Sequence, residues 1–280
     1  MEKVDVIIPA YNAAQTIEAT LRSVLSQTLL PGQVIVVDDG SDDETGSLAM
    51  AMGGLVKVIR QPNGGQGSPR NLGLLASDAT ILVFLDADDL LLPNALETLQ
   101  AALIERPECL LAFCRVQLFT DADAPSFPAV SPLDAGGQVW SRLVWRNFIR
   151  TTGCVMMRRG ALVEAGGWDA CRQMQGCEDW DLWLRLAELT PFAKVAEPLL
   201  LYRVHPHSFS HQNAVMQSST EWMLHKHMAR RRNALREALR DGAWPVAFAA
   251  AGGLMSVSVR ALQWKAQALL HSVFQAFQRF

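Results

Sequence analysis

Val83-Phe84-Leu85-Asp86-Ala87-Asp88-Asp89 passes from apolar residues straight into three carboxylates within four positions. Carboxylates this close repel one another and are costly to desolvate, so such a cluster at the mouth of a buried strand calls for a cation or a proton to offset it. A divalent metal is the natural candidate. The competing reading is helix capping, because aspartate favours turns and N-caps and Asp88 or Asp89 would suit a helix starting near Leu90.

Toward the N-terminus the same pattern, an apolar run with a polar stop, recurs. Val4 to Ile8 is rich in β-branched residues and closes at Pro9, and Val34 to Val37 stops at Asp38-Asp39-Gly40-Ser41. Val56 to Ile59 and Ile81 to Leu85 repeat the signal of a buried strand. Between them, Thr16 to Gln27 places Ile17, Leu21, Val24 and Leu25 at helical spacing, and a second helix-compatible segment begins near Asp43. Strand, loop, helix, strand at this spacing predicts parallel βαβ units. In such open sheets ligands bind beyond the carboxyl ends of the strands. Pro9-Ala10-Tyr11-Asn12, Asp38-Asp39-Gly40-Ser41 and Asp86-Ala87-Asp88-Asp89 all fall there, so three strands aim polar groups at one cleft.

Asn63-Gly64-Gly65-Gln66-Gly67-Ser68-Pro69-Arg70-Asn71-Leu72-Gly73 reads as a glycine-rich loop entering a helix. Small residues let backbone N–H groups approach an anion, and Arg70 supplies a fixed charge; a plain flexible turn is the simpler alternative. No Gly-Lys-Ser/Thr follows, so this is not a P-loop, and no G-x-G-x-x-G opens the first helix, which disfavours a dinucleotide-dependent oxidoreductase.

At 280 residues and 50% hydrophobic content the chain can bury a substantial core. Its five cysteines include no C-x-x-C pair, which points to free thiols in a reducing, cytoplasmic setting and away from a zinc site. Glu2, Lys3 and Asp5 interrupt any apolar leader. The net charge of −3 conceals an asymmetry: His225 to Phe280 holds nine basic and two acidic residues, against 16 basic and 26 acidic before it.

Further along, Thr120 to Gly137 carries Pro125, Pro128 and Pro132 and reads as an exposed excursion. Gly153 to Met157 resumes the core. Gly166-Gly167-Trp168-Asp169 precedes Glu178-Asp179-Trp180-Asp181-Leu182-Trp183-Leu184-Arg185-Leu186, where Trp180, Trp183, Leu184 and Ala187 share a helix face. Glu178 and Asp179 open that helix, where its dipole favours acids, and Asp181 with Arg185 has the spacing of an ordinary ion pair.

In this order, the motifs Val6 to Asn12, Val36 to Ser41, Asn63 to Gly73, Phe84 to Asp89 and Gly167-Trp168-Asp169 with Glu178 to Asp181 resemble family 2 glycosyltransferases of GT-A fold, over about the first 210 residues. The resemblance implies an open, mostly parallel twisted α/β sheet flanked by helices, with a glycosyltransferase domain at 1–215 and a basic helical C-terminal extension at 216–280. It implies inverting, non-processive transfer of a sugar from a nucleoside-diphosphate donor, UDP-sugars favoured, to a hydroxyl on a saccharide or lipid-linked acceptor. The setting would be cell-surface polysaccharide or glycoconjugate synthesis, with no nucleic-acid partner.

By position, Asp88 would hold Mn²⁺ or Mg²⁺, with Asp86 contacting the metal or the ribose and Ala87 between them. Hard cations of this kind prefer carboxylate oxygens. Asp39 resembles the residue that bonds the base, Pro9, Ala10, Tyr11 and Asn12 line the nucleoside pocket, and Arg70 is a donor-side cation. Asp179 matches the general base, with Glu178 as second choice and substrate contact, and burial beside Trp168, Trp180 and Trp183 would raise its pKa. Trp168 is either core or a platform for a sugar ring. His205, after Tyr202-Arg203-Val204, resembles a metal or diphosphate ligand, and imidazole suits Mn²⁺ better than Mg²⁺. Asp89 is then left as a helix cap.

Gly242 to Val259 is uncharged over 18 residues, but Pro245 and Gly252-Gly253 interrupt it. A buried helical hairpin is the expectation, with Arg230-Arg231-Arg232 docking on anionic lipid at the inner face of the plasma membrane. Two other function classes compete. A sugar nucleotidyltransferase would carry a glycine-rich turn with Arg and Lys after the first strand, where Ala10-Tyr11-Asn12-Ala13 stands, and a non-catalytic nucleotide-sugar binding module would have no need of Asp179.

Overall fold

The computed structural model describes residues 2–120, 137, 139–144, 146–204, 213–227 and 233. His205, most of the 120–137 excursion, the triple arginine and the uncharged 242–259 segment lie outside them.

Among the described residues, eight strands form one sheet in the order β3-β2-β1-β4-β7-β6-β8-β5. They are β1 (Val4–Ala10), β2 (Gln33–Asp38), β3 (Val56–Arg60), β4 (Ile81–Phe84), β5 (Leu90–Leu91), β6 (Leu111–Phe119), β7 (Val155–Arg158) and β8 (Phe192–Arg203). The helices are α1 (Ile17–Leu25), α2 (Thr45–Ala51), α3 (Gly67–Ala76), α4 (Ala95–Glu105), α5 (Trp140–Leu143), α6 (Arg159–Glu164), α7 (Glu178–Leu189) and α8 (Asn213–Lys226). None is long and apolar enough to cross a membrane.

The first four strands are parallel, as the βαβ spacing predicts. The Val and Ile residues of β1, β2 and β4 are buried on both faces, which is why these strands read as unbroken apolar runs, whereas β3, at the sheet edge, keeps its Val and Ile only half-buried and interrupts them with exposed Lys57. Ile7 pairs with Ile35 on one side and Phe84 on the other. This shared register brings Ala10, Asp38 and the residues after Phe84 to one end of the sheet. Helix α3 lies close on this surface: a Cβ on Gly73 would strike the Ile7 side chain.

Beyond β4 the sheet changes character. β7 pairs antiparallel with β4 and with β6, β8 runs parallel to β6, and β5 closes the edge antiparallel to β8. No helix starts at Leu90. Leu90 and Leu91 pair with Leu201 and Leu200 instead, and α4 begins only at Ala95, after Asn94. Asp89 therefore caps no helix: it is buried, and its Oδ1 accepts the Arg203 backbone N–H at 3.0 Å.

The boundary expected at 215/216 falls within α8. That helix is docked on the body, with Met223, Leu224 and His227 buried. Lys226 pairs with Asp169 at 2.6 Å and with Asp181 at 2.8 Å.

Candidate active site

The strand-end loops lock to one another before any ligand is considered. Asn12 adopts a left-handed φ of 49°, which asparagine tolerates better than most residues. There its backbone N–H donates to Ser41 Oγ at 3.0 Å and its Oδ1 accepts from the Asp42 N–H at 2.9 Å. Pro9 is half-buried and Ala10 buried, while Tyr11 stands 50% exposed at the rim. After β2, Gly40 takes φ +79°, and a Cβ there would lie 3.0 Å from the Asn63 nitrogen, so this turn needs glycine to admit the next loop. Asp39 is buried, and its Oδ1 accepts from Gln61 Nε2 at 2.6 Å and from the Gly64 N–H at 2.9 Å.

The acidic motif is held from three sides. Thr16, just before α1, and Thr20 within it donate their hydroxyls to the Ala87 carbonyl at 2.8 and 2.9 Å. Arg203 Nε donates to the backbone carbonyl of the half-buried Asp88 at 2.8 Å. Asp86 accepts from Arg70 at 2.8 Å on one oxygen and from the Thr151 hydroxyl at 3.0 Å on the other. Burial, and then the charges of Asp88 and Asp86, push the Asp89 carboxyl well above its usual range, and its Oδ2 has no partner.

Arg70 does not stand open as a free cation. It is 3% exposed, and its second terminal nitrogen bonds Glu178 at 2.8 Å, so one guanidinium bridges the strand-end motif to the start of α7. Burial alone would lower its pKa, and the two carboxylates more than reverse that. Its guanidinium also lies 5.0 Å above the Trp168 ring. Trp168 is 3% exposed and packs edge-on to Phe84 and Trp183 at 5.1 and 6.0 Å, while Asn71 grips its backbone N–H and carbonyl. Its face is not open to a sugar ring, which resolves the choice in favour of core.

Helix α7 then presents Asp179. Its Oδ1 accepts the Trp180 N–H at 2.6 Å and its Oδ2 accepts from Asn147 at 3.1 Å. Burial, followed by the neighbouring Glu178 charge, raises its pKa to about 7. Glu178 itself is spoken for by Arg70 and by the Gly176 N–H at 2.6 Å. The Asp181–Arg185 pair expected from its spacing is present at 2.7 Å. Sequence reasoning missed the others on Asp181, Lys226 and His227, the latter at 2.7 Å. Thr16, Thr20, Gln61, Asn147 and Thr151 were also unforeseen, and only the threonines of α1, on its buried side, carried even a faint signal.

Among the described residues no three His, Cys, Asp or Glu side chains converge to cage a metal. Asp86 and Asp88 nonetheless fit a hard cation that keeps water and phosphate oxygens in its other positions. The observation behind that fit is the buried Oδ2 of the adjoining Asp89, which has no hydrogen-bond partner among the described residues.

Three comparisons bear on this arrangement. The family described as Glycosyl transferase family 2 matches residues 5–166. An uncharacterized glycosyltransferase of Rickettsia prowazekii is 27% identical over 207 residues, covering 72% of this chain and 64% of that protein. The poly(ribitol-phosphate) beta-N-acetylglucosaminyltransferase TarP of Staphylococcus aureus is 41% identical over 105 residues, 35% of this chain and 32% of TarP. The chain thus spans less than two thirds of the length of either relative. A crystal structure of S. aureus TarS in complex with UDP-GlcNAc aligns with TM-score 0.65 at 18% identity, over 79% of this chain and 65% of that one, a likeness of fold. With an open sheet of this order and the family's pattern across more than half its length, the chain belongs to glycosyl transferase family 2.

Proposed function

We propose that the chain transfers a hexosyl or hexosaminyl group from a UDP-sugar to an acceptor hydroxyl, with inversion, in the synthesis of a cell-surface polysaccharide or glycoconjugate. The observation that carries this reading is the juxtaposition, through Arg70, of the Asp86 motif with the helix turn bearing Asp179, a carboxyl whose pKa of about 7 suits a general base at neutral pH. TarP and TarS add support for the donor class: the one is an N-acetylglucosaminyltransferase by name, the other binds UDP-GlcNAc.

In the proposed reaction Asp179 accepts the proton of the acceptor hydroxyl as its oxygen forms a bond to the anomeric carbon. The bond from that carbon to the diphosphate oxygen breaks on the opposite face, and its electron pair leaves with UDP. Asp39 and the Tyr11–Asn12 turn hold the nucleoside end, while Arg70 and Thr151 fix the orientation of Asp86. A bound Mn²⁺ or Mg²⁺, held by Asp88 and Asp86, would supply Lewis-acid stabilisation of the leaving diphosphate. A binding module would have no use for a carboxyl tuned in this way.

The test is release of nucleoside diphosphate from UDP-, GDP- and dTDP-sugars with Mn²⁺ or Mg²⁺ present. UDP release from UDP-sugars, abolished by chelator, is the expected result. Silence across all donors and both metals would sink the enzyme reading.

A further inference from the structure

Segment 146–151 touches both halves of the candidate site. Asn147 meets Asp179 and, four residues on, Thr151 meets Asp86. The segment is anchored independently of both contacts. Before it, Trp180 Nε1 donates to the Leu143 carbonyl at 2.7 Å. Within it, Ile149 is buried and the Phe148 ring lies 5.9 Å from that of Phe113.

The orientation of the Asn147 amide follows from its own hydrogen bonds. Its Oδ1 accepts the Ile149 N–H at 3.2 Å, so its NH₂ faces Asp179 Oδ2. Each Asp179 oxygen thereby receives one protein donor and keeps a lone pair for a substrate hydroxyl. We propose that Asn147 is a positioning residue, fixing Asp179 in the orientation that takes the acceptor proton and favouring its ionised form. This rests on the reading of Asp179 as the base.

Among the described residues, three charged or titratable groups act on Asp179. Glu178 on the same helix raises its pKa, Arg70 from α3 lowers it, and the Cys154 thiol, its own pKa pushed up by burial to about 12, stays neutral. A hydrogen bond to a charged group carries about 1 pH unit or more of preference for the ionised form.

The experiment is the pH dependence of kcat/KM for wild type, Asn147→Ala and the isosteric Asn147→Asp. The acid limb is expected to move up by about 1 unit in Asn147→Ala and further in Asn147→Asp, where a second carboxylate opposes ionisation. At pH 6 Asn147→Ala then loses roughly tenfold, and part of the loss returns above pH 8. An equal loss at every pH, or unchanged limbs in both variants, would overturn the inference; UDP binding followed by thermal shift in parallel reports on the fold. Asp179→Asn separates the two ideas. Retained transfer in that variant defeats the base assignment, whereas an inactive Asp179→Asn beside an unmoved limb in Asn147→Ala defeats only the role of Asn147.

Discussion

Asp179 and Asp181 stand two residues apart in the first turn of α7, feel the same helix N-terminus, and are driven in opposite directions. Burial and Glu178 raise Asp179 to about 7. Burial would raise Asp181 too, but the His227 hydrogen bond, Arg185 and Lys226 hold it well below the usual carboxylate range. The helix dipole favours either anion by only about 0.3–1 kcal/mol, so it cannot produce the split. Tertiary partners do: Asp179 meets two neutral donors, and Asp181 meets two cations and an imidazole. One turn of helix thus holds a chemical group on one side and an anchor on the other.

Exchanging the two roles would break this comparison. Asp179→Asn is expected to cut transfer by about 10²–10⁴-fold while UDP binding persists, measured by product formation and thermal shift. Transfer equal to wild type would erase the distinction. Next in size, Asp181→Asn is expected to cost about 3 kcal/mol of stability at pH 7, because buried partners lose their counter-charge. Since the folded pKa of Asp181 is depressed, its contribution is fully present above the unfolded value of about 3.9 and fades as pH falls through and below it. Denaturant melts at pH 7 and pH 3 should therefore show the gap between variant and wild type closing in acid. Opposite in sign is the stability effect at Asp179. With a raised pKa, its ionised form burdens the fold progressively from about pH 4 to 7. Asp179→Asn is expected to raise Tm by several degrees at pH 8 and to leave it unchanged at pH 4. A variant that lowered Tm at pH 8 would show that Asp179 is an anchor as well.

The two halves of the molecule were unequally legible in the sequence. Strands β1, β2 and β4 announce themselves because apolar runs buried on both faces end abruptly in polar residues, and parallel register then brings those ends together. The strand ends drew attention to Asp86 and Asp39, whereas Asp179 was singled out only through the family resemblance of the Glu178–Asp181 motif. The antiparallel half is built from pairings between distant segments, and nothing local in Leu90-Leu91 reveals that β8 will claim it before a helix can start. The misreading of Asp89 as a cap follows from that. Trp168 was ambiguous because an indole looks alike as core and as platform; Phe84, Trp183 and Arg70 decide the matter in space. Asn147 carried no signal at all, since a single asparagine between arginines acquires meaning only when Asp179 lies 3.1 Å away.

The Asp86–Arg70–Glu178 bridge has a consequence for how such a site can change over generations. Replacing any one member strands a charge among buried neighbours, and lysine cannot imitate a fork that reaches two carboxylates at once. Single-step mutational paths through these three positions descend into a fitness valley, and only joint replacement crosses it. The three positions are therefore expected to change only jointly, as one epistatic unit.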